Sequence, residues 1–77
     1  MKVYRVEMKQ NDKWKIGRVP FGSLHGTRST RDQAAKDLEQ MKFRWQTNKV
    51  VADRYPDQIP TDWRIMERDE TEWVESK

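Results

Sequence analysis

The sequence predicts an α+β domain of ββαβ order. It has a three-stranded sheet of strand order 2-1-3, with one helix packed on one face. Three observations carry this. Two segments near the start, Val3–Lys9 and Lys13–Val19, alternate apolar and polar residues. A capped run of helical period begins near Ser29. A further alternating segment, Trp63–Glu67, follows that run. Period two marks strands and period 3.6 marks helices.

In the first strand Tyr4, Val6 and Met8 share one face, and Arg5, Glu7 and Lys9 share the other. Gln10-Asn11-Asp12 supplies turn chemistry, because Asn and Asp tolerate unusual backbone angles. On the second strand Trp14 and Ile16 then continue the apolar face, with Lys13 and Lys15 on the charged one. Pro20 to Thr27 reads as a long loop, since Pro lacks a donor and Gly22 and Gly26 permit tight turns. Phe21 and Leu24 are expected to tuck under the helix start.

Thr30 with Gln33, or Ser29 with Asp32, forms a capping box. Ala34, Leu38, Met41 and Trp45 then follow at spacings of one helix face. The helix runs from about residue 30 to between 47 and 54, before Pro56. After a turn-rich connector, Trp63 and Ile65 face the core and Arg64, Met66 and Arg68 lie opposite. The last strand either runs on toward Trp73 or turns near Asp69 into a short fourth strand. The expected core is Tyr4, Val6, Trp14, Ile16, Leu38, Met41, Trp63 and Ile65. A right-handed crossover makes the second and third strands parallel, each beside the first.

At 77 residues the chain is one domain, with a modest core that leans on four Trp. It has no Cys, so no disulfide or thiolate metal site staples it. No apolar run approaches the ~20 residues that span a bilayer. Met1-Lys2-Val3-Tyr4-Arg5 lacks a signal peptide's apolar block, so the expected compartment is the cytoplasm. Residues 1–49 hold twelve Lys/Arg and five Asp/Glu, whereas residues 50–77 hold four and eight. Either part can meet a partner electrostatically.

Catalysis is not expected. His25 is the only His, and nothing sets Ser23 or Ser29 beside it as a nucleophile. One His and no Cys make a poor metal site. Gly17, Gly22 and Gly26 form no phosphate loop, and no cofactor is expected. The positive signal is the outward sheet face with Arg5, Lys9, Lys13, Lys15, Arg64 and Arg68. Such a stripe binds phosphates, or is a solvated face that discourages edge pairing. Against nucleic acid, the aromatic residues fall mainly on the core parity and Glu7 interrupts the stripe. The acidic end, Glu67, Asp69, Glu70, Glu72 and Glu75, brackets Trp73. That Trp either closes the core or anchors an interface.

The strings Val3-Tyr4-Arg5-Val6, Lys13-Trp14-Lys15-Ile16-Gly17-Arg18, Ser29-Thr30-Arg31-Asp32-Gln33-Ala34 and Trp63-Arg64-Ile65-Met66-Glu67-Arg68, with Thr71-Glu72-Trp73, resemble small bacteriophage-encoded accessory proteins. The resemblance implies a non-catalytic protein that binds and modulates or inhibits a host protein in the host cytoplasm. Anti-defence action of the anti-CRISPR kind is included. The resemblance supplies no contact residues; the charged sheet face and the acidic end give the expected ones, Arg5, Lys9, Lys13, Lys15, Arg64, Arg68, Glu70, Glu72 and Trp73. The alternative is a nucleic-acid-binding module that uses the basic sheet face. A second resemblance is to the DNA-binding domains of tyrosine integrases and plant ethylene-response factors, which combine a Trp-containing basic sheet with one helix. They place three strands before the helix, where this chain has two before and one after.

Overall fold

The first hairpin decides which side chains share a face. A computed structural model describes residues 1–22, 26–69 and 72–76. In it β1 (Val3–Gln10) and β2 (Lys13–Ile16) are antiparallel. Asn11 and Asp12 both lie in the left-handed region, at φ 51° and 63°. That is a two-residue turn of the primed type, whose twist suits a hairpin. Gln10 therefore pairs with Lys13, and Lys9 pairs with Trp14.

This corrects the expected hairpin. A three-residue turn through Gln10 would set Lys13 beside Lys9. The two-residue turn moves every β2 residue to the other face, because side chains alternate with a period of two. Trp14 and Ile16 stand on the face of Lys9 and Glu7, away from the helix. Lys13 and Lys15 share the helix-side face with Gln10 and Met8, where they are exposed on the edge strand.

The sheet has four strands, not three, in the order β2-β1-β3-β4, and every neighbouring pair is antiparallel. β3 (Asp62–Arg68) pairs with β1 along its length. β2 and β3 flank β1 and run parallel to each other, as the crossover requires. Instead of running on, the chain turns back and forms β4 (Val74–Glu75) against Met66 and Glu67. Ser76 holds that return: its N–H donates to the Ile65 carbonyl at 2.8 Å, and its hydroxyl accepts from Arg31 Nε at 3.1 Å. Past the end of β2, Arg28 takes over the edge of β1 by exchanging two backbone bonds with Tyr4.

The main helix α1 (Arg31–Thr47) lies across β1 and β3. Thr30 caps it, accepting the Gln33 N–H at 3.2 Å. Asn48 is extended, which ends α1, and its Oδ1 accepts the Val51 N–H and so starts α2 (Lys49–Arg54). A 3₁₀ turn at Pro56–Gln58 leads back to the sheet. Ala34 and Met41 are fully buried against Val6 and Ile65, with Tyr4, Leu38 and Trp63 partly buried around them. Met8, Trp45 and Val51 form a second cluster, joined to the first through Trp63. Burying each such side chain contributes roughly 1.5–3 kcal/mol. The core thus drops Trp14 and Ile16 from the expected set and gains Met8, Ala34, Trp45 and Val51, while Met66 is buried on the opposite face of the sheet.

Gly17 explains how α1 comes so close. Its N–H donates to the Val6 carbonyl, and a Cβ there would sit 3.0 Å from Val6 Cγ1 and 3.1 Å from Met41 Sδ. Polar ties complete the layer. Arg28 forks onto Asp37 at 2.6 and 3.2 Å, and the Trp45 indole N–H donates to the Arg18 carbonyl at 2.7 Å. The expected burial of Phe21 does not occur: it is exposed, because it occupies the outer corner of a tight turn between Val19 and Gly22. Ser23, Leu24, His25, Glu70 and Thr71 lie outside the described residues.

Candidate functional site: the open face of the sheet

One face of the sheet carries the helices; the other has no element packed across it among the described residues. β1 places Arg5, Glu7 and Lys9 there, β2 places Trp14 and Ile16, and β3 places Asp62, Arg64, Met66 and Arg68. Strand alternation alone produces this set once the register is given.

Glu7 is the hub. It is 5% exposed although it lies on the open face. Its Oε2 accepts from Arg5 Nε at 3.0 Å and Nη2 at 2.7 Å. Its Oε1 accepts from Arg64 Nε at 2.8 Å and Nη2 at 2.6 Å. A carboxylate this covered needs such partners, since burying an unpaired charge costs several kcal/mol. The arrangement follows from register: Arg64 is directly opposite Glu7, and Arg5 is two residues away on the same face.

Each guanidinium also lies over an indole. Arg64 Cζ stands 4.0 Å from the Trp14 ring centroid, and Arg5 Cζ stands 4.1 Å from that of Trp73. Arg68 Cζ is 5.0 Å from the same Trp73 ring, and Lys9 Nζ is 5.9 Å from Trp14. Each contact of this kind contributes about 0.5–2 kcal/mol, more when desolvated. The result is a continuous row across the sheet from Trp14 through Arg64, Glu7 and Arg5 to Trp73. Both tryptophans are half-buried, so part of each ring faces solvent.

The structure therefore sorts the expected contact residues. Arg5, Lys9, Arg64, Arg68 and Trp73 come together on the open face. Lys13 and Lys15 do not; they belong to the helix-side parity. Glu72 is exposed in the segment just before Trp73, and Glu70 is outside the described residues. Sequence reasoning missed Glu7, which looked like an interruption of a basic stripe, and Trp14, which was given to the core. The available signal was the pair Asn11-Asp12, whose residue types favour a two-residue turn.

Four cations stand on this face beside three carboxylates, Glu7, Asp62 and Glu75, so it is only weakly basic. Among the described residues no group of three or more His, Cys, Asp or Glu side chains gathers to hold a metal ion. No helix of the described residues is long and apolar enough to cross a membrane. In comparison with known proteins, the chain matches no family model, no curated protein and no solved structure at a significant level.

Proposed function

We propose that this chain is a non-catalytic binding module that docks on another protein through the open sheet face. In the setting that the sequence resemblance implies, it is a phage accessory protein that modulates or inhibits a host protein in the host cytoplasm. A defence enzyme is an apt target. The observation that carries the reading is the Glu7 bracket. Two of the four cations on this face are already committed to a carboxylate, which leaves little charge for a phosphate backbone. What remains is tryptophan and arginine held rigid in a row, the residue types that dominate protein–protein hot spots. Rigid anchors also reduce the ordering cost of association.

The test is affinity capture from nuclease-treated host lysate with the native chain and with Trp73→Ala. A protein partner that survives nuclease and is lost with Trp73→Ala supports the reading. Truncating a central anchor weakens binding by about 2 kcal/mol or more. Thermal unfolding of the same variant separates lost contact from lost fold.

A second reading has one observation in its favour. Trp14 and Trp73 stand half-buried on the open face, and the ring surface that the arginines leave uncovered supports stacking on single-stranded nucleic acid. Binding would then fall steeply with salt. Trp14→Ala would weaken it, whereas charge reversal at Lys13 and Lys15, on the other face, would not. Titration with single- and double-stranded DNA and RNA at low salt decides, and absence of binding removes this reading.

A further inference from the structure

On the helix side of the sheet, a cavity of about 340 Å³ opens between residues 18–21 and α2. Trp45 and Val51 form its inner wall, and Phe21 and Tyr55 form its outer one. Arg18 and Gln58 supply polar groups at its lining. The volume is at the low end of ligand pockets, roughly 300–1,000 Å³, and suits a single aromatic side chain.

Two features indicate an occupant. The first is Phe21, held at φ 59°. It occupies the third position of a turn that begins at Val19, has Pro20 second, and closes with Gly22 N–H on the Val19 carbonyl at 3.0 Å. That position favours glycine, and a bulky residue there is strained. The strain is not offset by burial, because Phe21 is 74% exposed. Its ring instead meets the 48% exposed Tyr55 edge-on, with centroids 6.1 Å apart. Strained residues of this kind gather at ligand clamps. The second feature is charge. Arg18 is exposed and has no ion pair among the described residues, while its carbonyl is fixed by the Trp45 indole. Arg18 is the one charged residue of the lining; Lys49, Asp53 and Arg54 of α2 and Asp57 of the 3₁₀ turn are exposed outside it.

We propose that this cavity binds an aromatic side chain of a partner polypeptide that is adjacent to an acidic residue. The ring enters between Phe21, Trp45 and Tyr55, and the carboxylate meets Arg18. The site lies on the opposite side of the sheet from the Trp14–Trp73 row, so it is a contact region separate from the docking face.

The test uses the full chain, ¹⁵N-labelled, titrated with the blocked dipeptides acetyl-Glu-Trp-amide and acetyl-Lys-Trp-amide. The expected result is a saturable shift of the Trp45 indole N–H and the Gly22 amide, with the glutamyl peptide bound roughly tenfold more tightly. Phe21→Gly is expected to raise the unfolding temperature, because glycine accepts the backbone angle, and to weaken the glutamyl peptide about tenfold. Arg18→Glu is expected to abolish the preference for the glutamyl peptide. No saturable shift, equal affinity for both peptides, or shifts at Trp14 and Trp73 in place of Trp45 would each overturn the proposal. So would a Phe21→Gly variant that binds as before, or one that unfolds at a lower temperature.

Discussion

Replacing Glu7 by Gln tests the centre of the open face with almost no change of shape. The carboxylate accepts two bonds from each of two guanidiniums. Breaking a fully buried pair costs about 3–5 kcal/mol, and a single charge-assisted bond contributes about 1.5–3 kcal/mol. Here the arginine side chains keep 24% and 26% of their exposure, so water compensates part of the loss. The expected cost of Glu7→Gln is therefore about 2–3 kcal/mol. A domain of this length has roughly 4–11 kcal/mol of stability in all, so the loss is a large fraction. With a urea m-value of about 1 kcal/mol/M, the unfolding midpoint should fall by about 2–3 M. Lys15→Gln, on the exposed edge of the other face, is the control and should move it by less than about 0.5 M. Combining Glu7→Gln with Arg64→Met should recover at least about 1 kcal/mol, since the two groups touch. A Glu7→Gln midpoint no lower than that of the control, at unchanged m-value, would show that the carboxylate does not hold the two arginines.

Other expectations concern the elements that position this face. Asp12→Gly relieves a left-handed backbone angle in the hairpin turn and should stabilise by about 0.4–1 kcal/mol in thermal unfolding; a lower unfolding temperature would count against the two-residue turn. Gly17→Ala pushes a Cβ to within 3.1 Å of the Val6 carbonyl and of Met41 Sδ, and should destabilise by about 1–2 kcal/mol after the smaller gain in chain entropy. Stabilisation by that change would mean that α1 is not so close. Glu67 is held below the ordinary glutamate range, first by its hydrogen bond from Lys2 and then by that from Ser76. A depressed folded-state value means that this contribution is complete above the ordinary range and lost as the pH falls through it toward the lower folded value. Lys2→Met should accordingly flatten the acid limb of unfolding temperature against pH, and an unaltered limb would exclude the pair as its source.

Much of the fold was legible because periodicity survives packing. β1, β3 and α1 carry their apolar residues at regular spacing, and Val6, Ala34, Met41 and Ile65 fall where the spacing places them. The order of the first three strands, 2-1-3, is the one that a right-handed crossover predicts, and β4 adds to it at the β3 edge. The hairpin was not legible by the same means. β2 is an edge strand whose helix-side residues, Lys13 and Lys15, are exposed, so its alternation reports no buried face. Its apolar residues, Trp14 and Ile16, pair with charged residues of β1. Only the turn length distinguishes the two registers. Asp37 was overlooked for a different reason. A carboxylate on the buried stripe of α1, between Ala34 and Met41, implies a partner, but Arg28 lies in a loop with no period to locate it. β4 spans two residues, too few for a periodic pattern to decide between a strand that runs on and the short fourth strand that forms.

The two-residue turn at Asn11 and Asp12 has a consequence for how this surface can change over time. Point substitutions at Trp14 alter one contact, but a one-residue slip of β2 against β1 would set Lys13 and Lys15 on the open face and at the same time move Gly17 away from its place against Met41. The turn therefore couples the two layers of the domain: the register that gives the open face its tryptophan is also the one that lets α1 approach the sheet at Gly17, so neither can be altered through β2 without the other.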